Sequence, residues 1–576
     1  MLTASAADII CNGRGRPAVW PEPLPERNVM LRIGQIKIPY QEGDSRVFET
    51  VLKKLHIQEK EVESWKIFKK SIDARKKQEI MAVYTVDVQL KHENGFLKRN
   101  RNKNIRKVEE QTYVFPEAGE QKLSHPITIV GSGPAGLFCA LMLARHGYRP
   151  ILLERGMDVK RRQEAVQRFW EKGEFHPETN VQFGEGGAGT FSDGKLNTLV
   201  KDPFGRHRKV LELFVEFGAD PEITYVNKPH IGTDVLCHIV KAMREEIIAL
   251  GGEVRFESKL TDIRVENGRL KAICVNEENW MGCECLVLAV GHSARDTFFM
   301  LKDRGLPMTA KSFAIGLRIE HPQEMINQSQ YGMTSDDILG SASYKLTHTA
   351  SNGRGVYTFC MCPGGYVVNA SSEEGGCVVN GMSYHGRDSQ NANSAVIVTV
   401  TPEDFPSEDV MAGVEFQRFW EQKAFLEGGG RVPVQLYRDF CEGRVSEDFG
   451  TVRPVHKGET AFADLNQCLP DYVCDSLKEG IDAFGHKIQG YNRGDAVLSG
   501  VETRTSSPIR MERDGDFQSE IRGIYPCGEG AGYAGGITSA AMDGLRIAEA
   551  IRKVYCPDGK TEKKTEEKDK WRNHHV

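Results

Sequence analysis

The sequence predicts a mixed architecture of α/β and α+β class: an α/β unit, interrupted by a mixed and antiparallel sheet domain and preceded by a small α+β unit. Three observations predict it. A short apolar strand runs into Gly131-x-Gly133-x-x-Gly136, a helix follows, and a second strand ends in Glu154. The same strand, glycine turn and small-residue helix return at 521–548. Between them, from about 300 to 515, the pattern changes to short alternating strands.

The first 27 residues hold four prolines and little periodicity, so an irregular lead is expected there. Met30 to Ile38 alternates as a half-buried strand does, and Asp44 or Ser45 is placed to cap a helix carrying Val47, Val51, Leu52 and Leu55 on one face. Residues 62–72 fit either strand or helix. Ile80 to Leu90 is rich in β-branched residues and reads as a strand. Strand, helix, strand, strand in that order suggests a ferredoxin-like α+β domain over 28–115, followed by a polar linker at about 116–125. Lys66, Lys69, Lys70, Arg75, Lys76 and Lys77, echoed by Lys98, Arg99, Arg101, Lys103 and Arg106, form a basic cluster. Glu59, Glu61, Glu63, Asp73 and Glu79 are interspersed, which favours a solvated face over an RNA-docking surface.

The nucleotide unit starts at about 126. Gly131 allows a tight turn, Gly133 lets the backbone approach a pyrophosphate, and Gly136 lets helix and strand pack closely. Free N–H groups at the helix start, near Pro134 and Ala135, favour the negative charge. Glu154, 21 residues after Gly133, can accept both hydroxyls of an adenosine ribose. The spacing therefore describes a Rossmann-like dinucleotide site. After a charged amphipathic helix over 159–172, five glycines fall within eleven residues, at 184, 186, 187, 189 and 194. A regular buried element cannot tolerate them, so a second loop against the ligand is expected, with Thr190, Ser192, Asp193, Lys195 and Asn197 as its polar groups. Helices are predicted at 210–217 and 234–250, and short strands at 253–257, 260–266 and 270–275. Cys285 to Val290 reads as a buried strand returning beside the first, ending at Gly291 near the ligand.

In the middle block, strands are expected at 312–320, 356–359, 366–369, 378–383 and 395–400, with a helix at 410–427. The block lies between two nucleotide-binding segments and must fold back over the ligand. It is therefore the source of substrate contacts: Arg318, Arg354, Tyr357, Cys360, Cys362, Asn380, Tyr384, His385, Arg387 and Asn391 are candidates. Arg354 and Arg387 are suited to clamp a carboxylate, and His385 or Tyr384 to move a proton, which makes these four the catalytic candidates. Cys360-Met-Cys362 places two thiols on one strand face; packing or a pocket wall is its expected role, with a redox dithiol and metal binding as the alternatives.

The net charge of −5 provides no basic field for nucleic acid, and no apolar run of eighteen residues spans a membrane. Fourteen cysteines scattered over 576 residues suit a reduced, cytoplasmic chain. No metal site is expected, because the Cys283-x-Cys285 and Cys360-x-Cys362 pairs lack a second half. The charged run 560–570 is expected to be a disordered tail.

Gly131-x-Gly133-x-x-Gly136 with Glu154, Ala289 to Ser293, and Gly523 to Glu529 resemble the three nucleotide signatures of two-domain flavoproteins of glutathione-reductase type. Together with Phe183 to Asn197, they also resemble an uncharacterised bacterial group of FAD-dependent dehydrogenases that carry an N-terminal ferredoxin-like domain. The resemblance implies non-covalent FAD. It implies a binding set of Gly131, Gly133, Pro134, Ala135, Gly136, Glu154, Arg155, Gly189, Thr190, Asp193, Lys195, Leu196, Gly291, Gly528, Glu529, Gly536 and Ile537. Glu529 stands where an aspartate is commoner. The implied division is 126–300 and 516–555 for the FAD-binding domain, 301–515 for a substrate or cap domain, and 556–576 for the tail. No Cys-x-x-x-x-Cys pair follows the first glycine motif, and no second complete dinucleotide motif appears. Electrons would then be exchanged with NAD(P)H bound transiently or with a redox protein. The expected activity is hydride transfer between flavin and a small or lipid-like organic substrate; a flavin-containing RNA-modifying or RNA-binding protein, a redox-neutral flavoenzyme and a regulatory binding module are the alternatives.

Overall fold

The computed structural model describes residues 29–92, 96, 102–109 and 112–557. The expected N-terminal lead, the C-terminal tail, and Lys98, Arg99 and Arg101 of the basic cluster lie outside them. The architecture is the mixed α/β one expected. A parallel five-stranded sheet runs in the order Ile524–Pro526, Leu286–Leu288, Thr128–Val130, Ile151–Leu153, Glu253–Arg255. All its strands but the last are fully buried, the signature of a sheet covered on both faces. The strand after Cys285 does return beside the first, pairing Leu286 with Thr128 and Leu288 with Val130.

A seven-stranded mixed sheet is built from the middle block, with Phe313–Pro322 between Asn391–Val400 and Val497–Glu502. Its two central strands are buried almost throughout, and the helices Ala412–Glu427 and Asp471–Gly485 pack beside it. Gly355–Cys362 is longer than expected and carries both cysteines within the strand, which bulges between Phe359 and Cys362.

The N-terminal unit is a four-stranded antiparallel sheet in the order Val62–Asp73, Met81–Leu90, Val29–Pro39, Ile105–Glu109, backed by the helix Val47–Leu55. Residues 62–73 are thus an edge strand, and its exposure falls in runs of two or three residues rather than alternating, which explains the ambiguous pattern. The second crossover of a ferredoxin-like unit would span 91–104, where 93–95 and 97–101 are outside the described residues. Neither Asp44 nor Ser45 caps the helix. Asp44 instead accepts hydrogen bonds from Tyr84 (2.8 Å) and Tyr225 (3.1 Å) and pairs with Lys70 (2.7 Å), which ties this unit to the nucleotide fold. Among the described residues no helix is long and apolar enough to cross a membrane.

Candidate active site

The helices Pro134–Arg145 and Ile537–Val554 pack closely, because Gly544 leaves no side chain where a Cβ would meet the Ala135 carbonyl oxygen at 2.2 Å. Both N-termini open on one cavity of about 360 Å³, lined by Pro134, Ala135, Ile537 and Ala540. Two positive helix ends and their free N–H groups suit a diphosphate. Gly131 takes φ +100° and passes so close to the next strand that a Cβ would lie 2.3 Å from the Ala289 oxygen. Gly133 differs: a Cβ there would meet nothing nearer than the Gly187 Cα at 3.8 Å, and would point into cavity space. Gly291, Gly535 and Gly536 also line the cavity with no atom within 4 Å of an added Cβ. This is a cradle kept clear for a ligand.

Glu154 lies buried at one part of the lining. Its carboxylate accepts from Ser132 N (2.9 Å), Ser132 Oγ (2.6 Å), Gly156 N (2.9 Å) and Gly184 N (3.0 Å). It therefore joins the first glycine turn to the second glycine-rich loop as well as facing the cavity. Arg155, also in the lining, stacks over Phe183 at 4.0 Å and is held by Glu178 and Asp296. At Glu529, His292 Nδ1 approaches to 3.4 Å, while His292 Nε2 is buried without a partner among the described residues. A glycine cradle, two helix N-termini and an orphaned ring nitrogen fit a bulky anionic nucleotide.

Of the predicted binding residues, Gly131, Gly133, Pro134, Ala135, Glu154, Arg155, Gly189, Asp193, Lys195, Gly291, Glu529, Gly536 and Ile537 line the cavity. Gly136, Thr190, Leu196 and Gly528 do not. Gly136 faces the Gly131 oxygen and Gly528 the Ala135 Cβ. Thr190 turns inward to the Glu185 carbonyl, and Leu196 is a core residue whose carbonyl accepts from Thr538.

The four catalytic candidates also fall outside the lining. Arg354 is held by Asp404 at 2.6 Å and stacks on Tyr472. Tyr384 is 36% exposed and packs edge-on to Tyr366. His385 Nδ1 meets the Ile231 carbonyl at 2.9 Å, and its ring stacks on His230. Arg387 reaches inward only as far as Asp193, its Nε 2.9 Å from the carboxylate. Polar residues on loops and strand ends found local partners, and sequence position alone could not separate these from cavity groups.

The middle block instead contributes Phe359, Cys360, Asn380, Glu502, Arg504 and Thr505 to the lining. Arg318, fully buried, organises this wall. Its Nη1 donates to Glu502 (2.6 Å), its Nη2 to the Cys360 carbonyl (2.6 Å) and its Nε to Asn393 (2.9 Å). Burial pushes the Glu502 carboxyl up to about 7 against the opposing pull of Arg318. Sequence reasoning does not single out Glu502. For Glu502 the available signal was an acid closing an apolar strand, Val497 to Val501, ahead of Thr503 and Arg504.

Residues 312–505 match a family described as FAD-dependent protein, C-terminal domain-like, and 124–166 match an FAD binding domain. Residues 30–89 match a domain of unknown function. An uncharacterized protein of Clostridium beijerinckii is 50% identical over 526 residues, covering 90% of this chain and 98% of that protein. Similarity to solved structures is loose. Glycerol-3-phosphate dehydrogenase of Bacillus halodurans, complexed with FAD, overlaps 75% of this chain and 65% of its own at 12% identity and a TM-score of 0.32. Glycine oxidase of Bacillus cereus overlaps 74% of this chain and 95% of its own at 12% identity and a TM-score of 0.29. The chain belongs to the family of FAD-dependent proteins that includes the Clostridium beijerinckii protein, and FAD is its cofactor.

Proposed function

We propose that the protein is an FAD-dependent oxidoreductase that moves a hydride between non-covalently held flavin and a small organic substrate admitted against the wall formed by 301–515. The observation that carries this reading is the shared cavity: the glycine cradle of 126–300 and 516–555 opens on the same space as Glu502, Cys360 and Asn380. FAD, when bound, supplies the two-electron chemistry. The two helix N-termini and Gly133 would hold its diphosphate, and Glu154, itself held by Ser132, would take its ribose. Glu502, poised near neutrality, takes a proton from the substrate or returns one, and Arg318 fixes its position. NAD(P)H or a redox protein completes the turnover.

Denaturing the purified protein and identifying the released cofactor by chromatography tests the first half: FAD is expected, and FMN or a covalent flavin peptide would overturn it. Anaerobic screening of hydroxy, amino and unsaturated acids, read by bleaching of the flavin absorbance, tests the second. Product formed while the flavin stays oxidised and no acceptor is consumed would favour a redox-neutral enzyme instead.

A further inference from the structure

We propose that Cys360 and Cys362 form a dithiol–disulfide couple that exchanges two electrons with FAD in the cavity. The proposal rests on the oxidoreductase reading above, and adds a second redox centre to it.

In a regular strand, residues two apart have their Cα atoms roughly 7 Å from each other, whereas a disulfide needs Cβ atoms roughly 3.5–4.5 Å apart. This strand is not regular here. Cys360 and Met361 together stand opposite Ser394 alone, since Phe359 pairs with Ala395 and Cys362 with Asn393. The extra residue is accommodated by Cys360 at φ +42°, a left-handed conformation that a cysteine adopts only at some cost. The kink brings the Cys362 sulfur to 3.3 Å from the Cys360 carbonyl oxygen, to which its thiol donates.

The kinked segment is clamped by two cations. Arg318 Nη2 donates to the Cys360 carbonyl at 2.6 Å and lies 3.8 Å from the Cys362 sulfur. Lys195 Nζ donates to the Met361 carbonyl. Cys360 is half-buried and lines the cavity, while Cys362 is fully buried behind it. That is the arrangement of an attacking and a resolving thiol. The neighbouring Cys362 thiol, with Lys195 and Arg318, holds the Cys360 thiol well below the ordinary thiol range, while Cys362 is held above it by its neighbour and by burial.

In the oxidising direction the Cys360 thiolate sulfur bonds to the Cys362 sulfur. Two electrons and the Cys362 proton leave for oxidised FAD, giving one disulfide and the singly protonated, anionic reduced flavin. Atoms and charge balance without a further reactant, and the reverse step reduces the disulfide. A ring closed across a single intervening residue is strained, and strained disulfides are the labile, catalytic kind.

Anaerobic dithionite titration of the FAD-loaded protein, with mass spectrometry of the wild type alkylated before and after reduction, tests the proposal. About four electrons per FAD are expected in the wild type, and about two in Cys360→Ser and Cys362→Ser, for two two-electron couples against one. In the oxidised wild type, the peptide carrying both cysteines should resist alkylation and weigh two hydrogens less. A yellow protein that takes two electrons per FAD, and whose peptide is doubly alkylated without reduction, overturns the relay alone. A protein that binds no flavin after reconstitution overturns the cofactor reading and the relay together.

Discussion

Arg318 and Glu502 face each other at 2.6 Å in the wall of the cavity, and Arg318 is wholly withdrawn from solvent. Because burial raises the Glu502 carboxyl from its usual 4.5 to about 7, the folded protein binds a proton there more tightly than the unfolded chain does. Stability contributed by that proton is present below pH 4.5 and is lost as the pH rises to about 7. The loss is about 3 kcal/mol for this group alone. Glu502→Gln should therefore show a flatter stability profile than the wild type between those pH values, measured by urea unfolding at each pH. A wild-type minus variant difference that stays constant across the window would show that Glu502 is ionised throughout.

Removing the other partner is expected to be harsher. Arg318→Met leaves Glu502 without its cation and frees the Cys360 carbonyl in a buried wall. Breaking such a pair costs about 3–5 kcal/mol. Arg354→Ala is the contrast, since the Arg354–Asp404 pair is only partly buried and lies outside the lining. It should cost about 1 kcal/mol or less and leave flavin reduction rates unchanged. A large loss of turnover in Arg354→Ala, with FAD retained, would restore that residue to the site.

The two glycines of the first turn should fail differently. Gly133→Val meets only cavity space, so the protein should fold with a melting temperature close to that of wild-type apoprotein and emerge colourless from gel filtration. Gly136→Ala would drive a Cβ to 1.8 Å from the Gly131 oxygen, and Gly544→Ala to 2.2 Å from that of Ala135. Those contacts are backbone and cannot rotate away, so about 1–3 kcal/mol of folding stability should go with them. Retention of FAD by Gly133→Val at the wild-type absorbance ratio would mean that the diphosphate lies elsewhere.

The elements that could be read in the sequence were those whose signal is local. Gly131, Gly133 and Glu154 lie within a single strand–helix–strand unit, and their spacing is enough to set a cradle. The return strand at 286–288 could be read because a fully buried parallel strand has no polar alternation. Glu502, Arg318 and Cys360 are distant in sequence and meet only through the pairing of four strands, so no local pattern joins them. The same reason misplaced Tyr384 and His385: they neighbour the site in sequence, while the turn after Met382 carries them toward the start of the helix Thr233–Ala249, and Arg387 stops at Asp193.

Glu154→Gln should weaken more than the ribose contact. The carboxylate accepts from two main-chain N–H groups on one oxygen, those of Gly156 and Gly184, and from Ser132 N and Oγ on the other. An amide can satisfy only one side as an acceptor, and its NH2 would face donors on the other. About 1–3 kcal/mol of stability should be lost even without FAD, with weaker FAD binding in addition. Thermal unfolding of the apoproteins separates the two effects. An apoprotein as stable as the wild type would mean that the glycine-rich loop does not depend on Glu154.

Asp193, 1% exposed, is set between Lys195 at 3.2 Å and Arg387, whose Nε donates to it at 2.9 Å. Burial alone would raise its carboxyl, but Lys195 and then Arg387 outweigh it and hold the group below the usual 3.8. A depressed folded value contributes stability that is present above pH 3.8 and is lost as the pH falls through the lower folded value. Asp193→Asn should accordingly flatten the acid limb of the stability profile below pH 4, while lowering stability at neutral pH because two cations lose their shared partner. It should also act at a distance on Cys360, whose thiolate Asp193 opposes and Lys195 favours. With the carboxylate gone, alkylation of Cys360 by iodoacetamide should reach its half-maximal rate at a lower pH than in the wild type. An unchanged or higher midpoint, in a variant that still binds FAD, would show that Lys195 is not held beside the cysteine pair by this network.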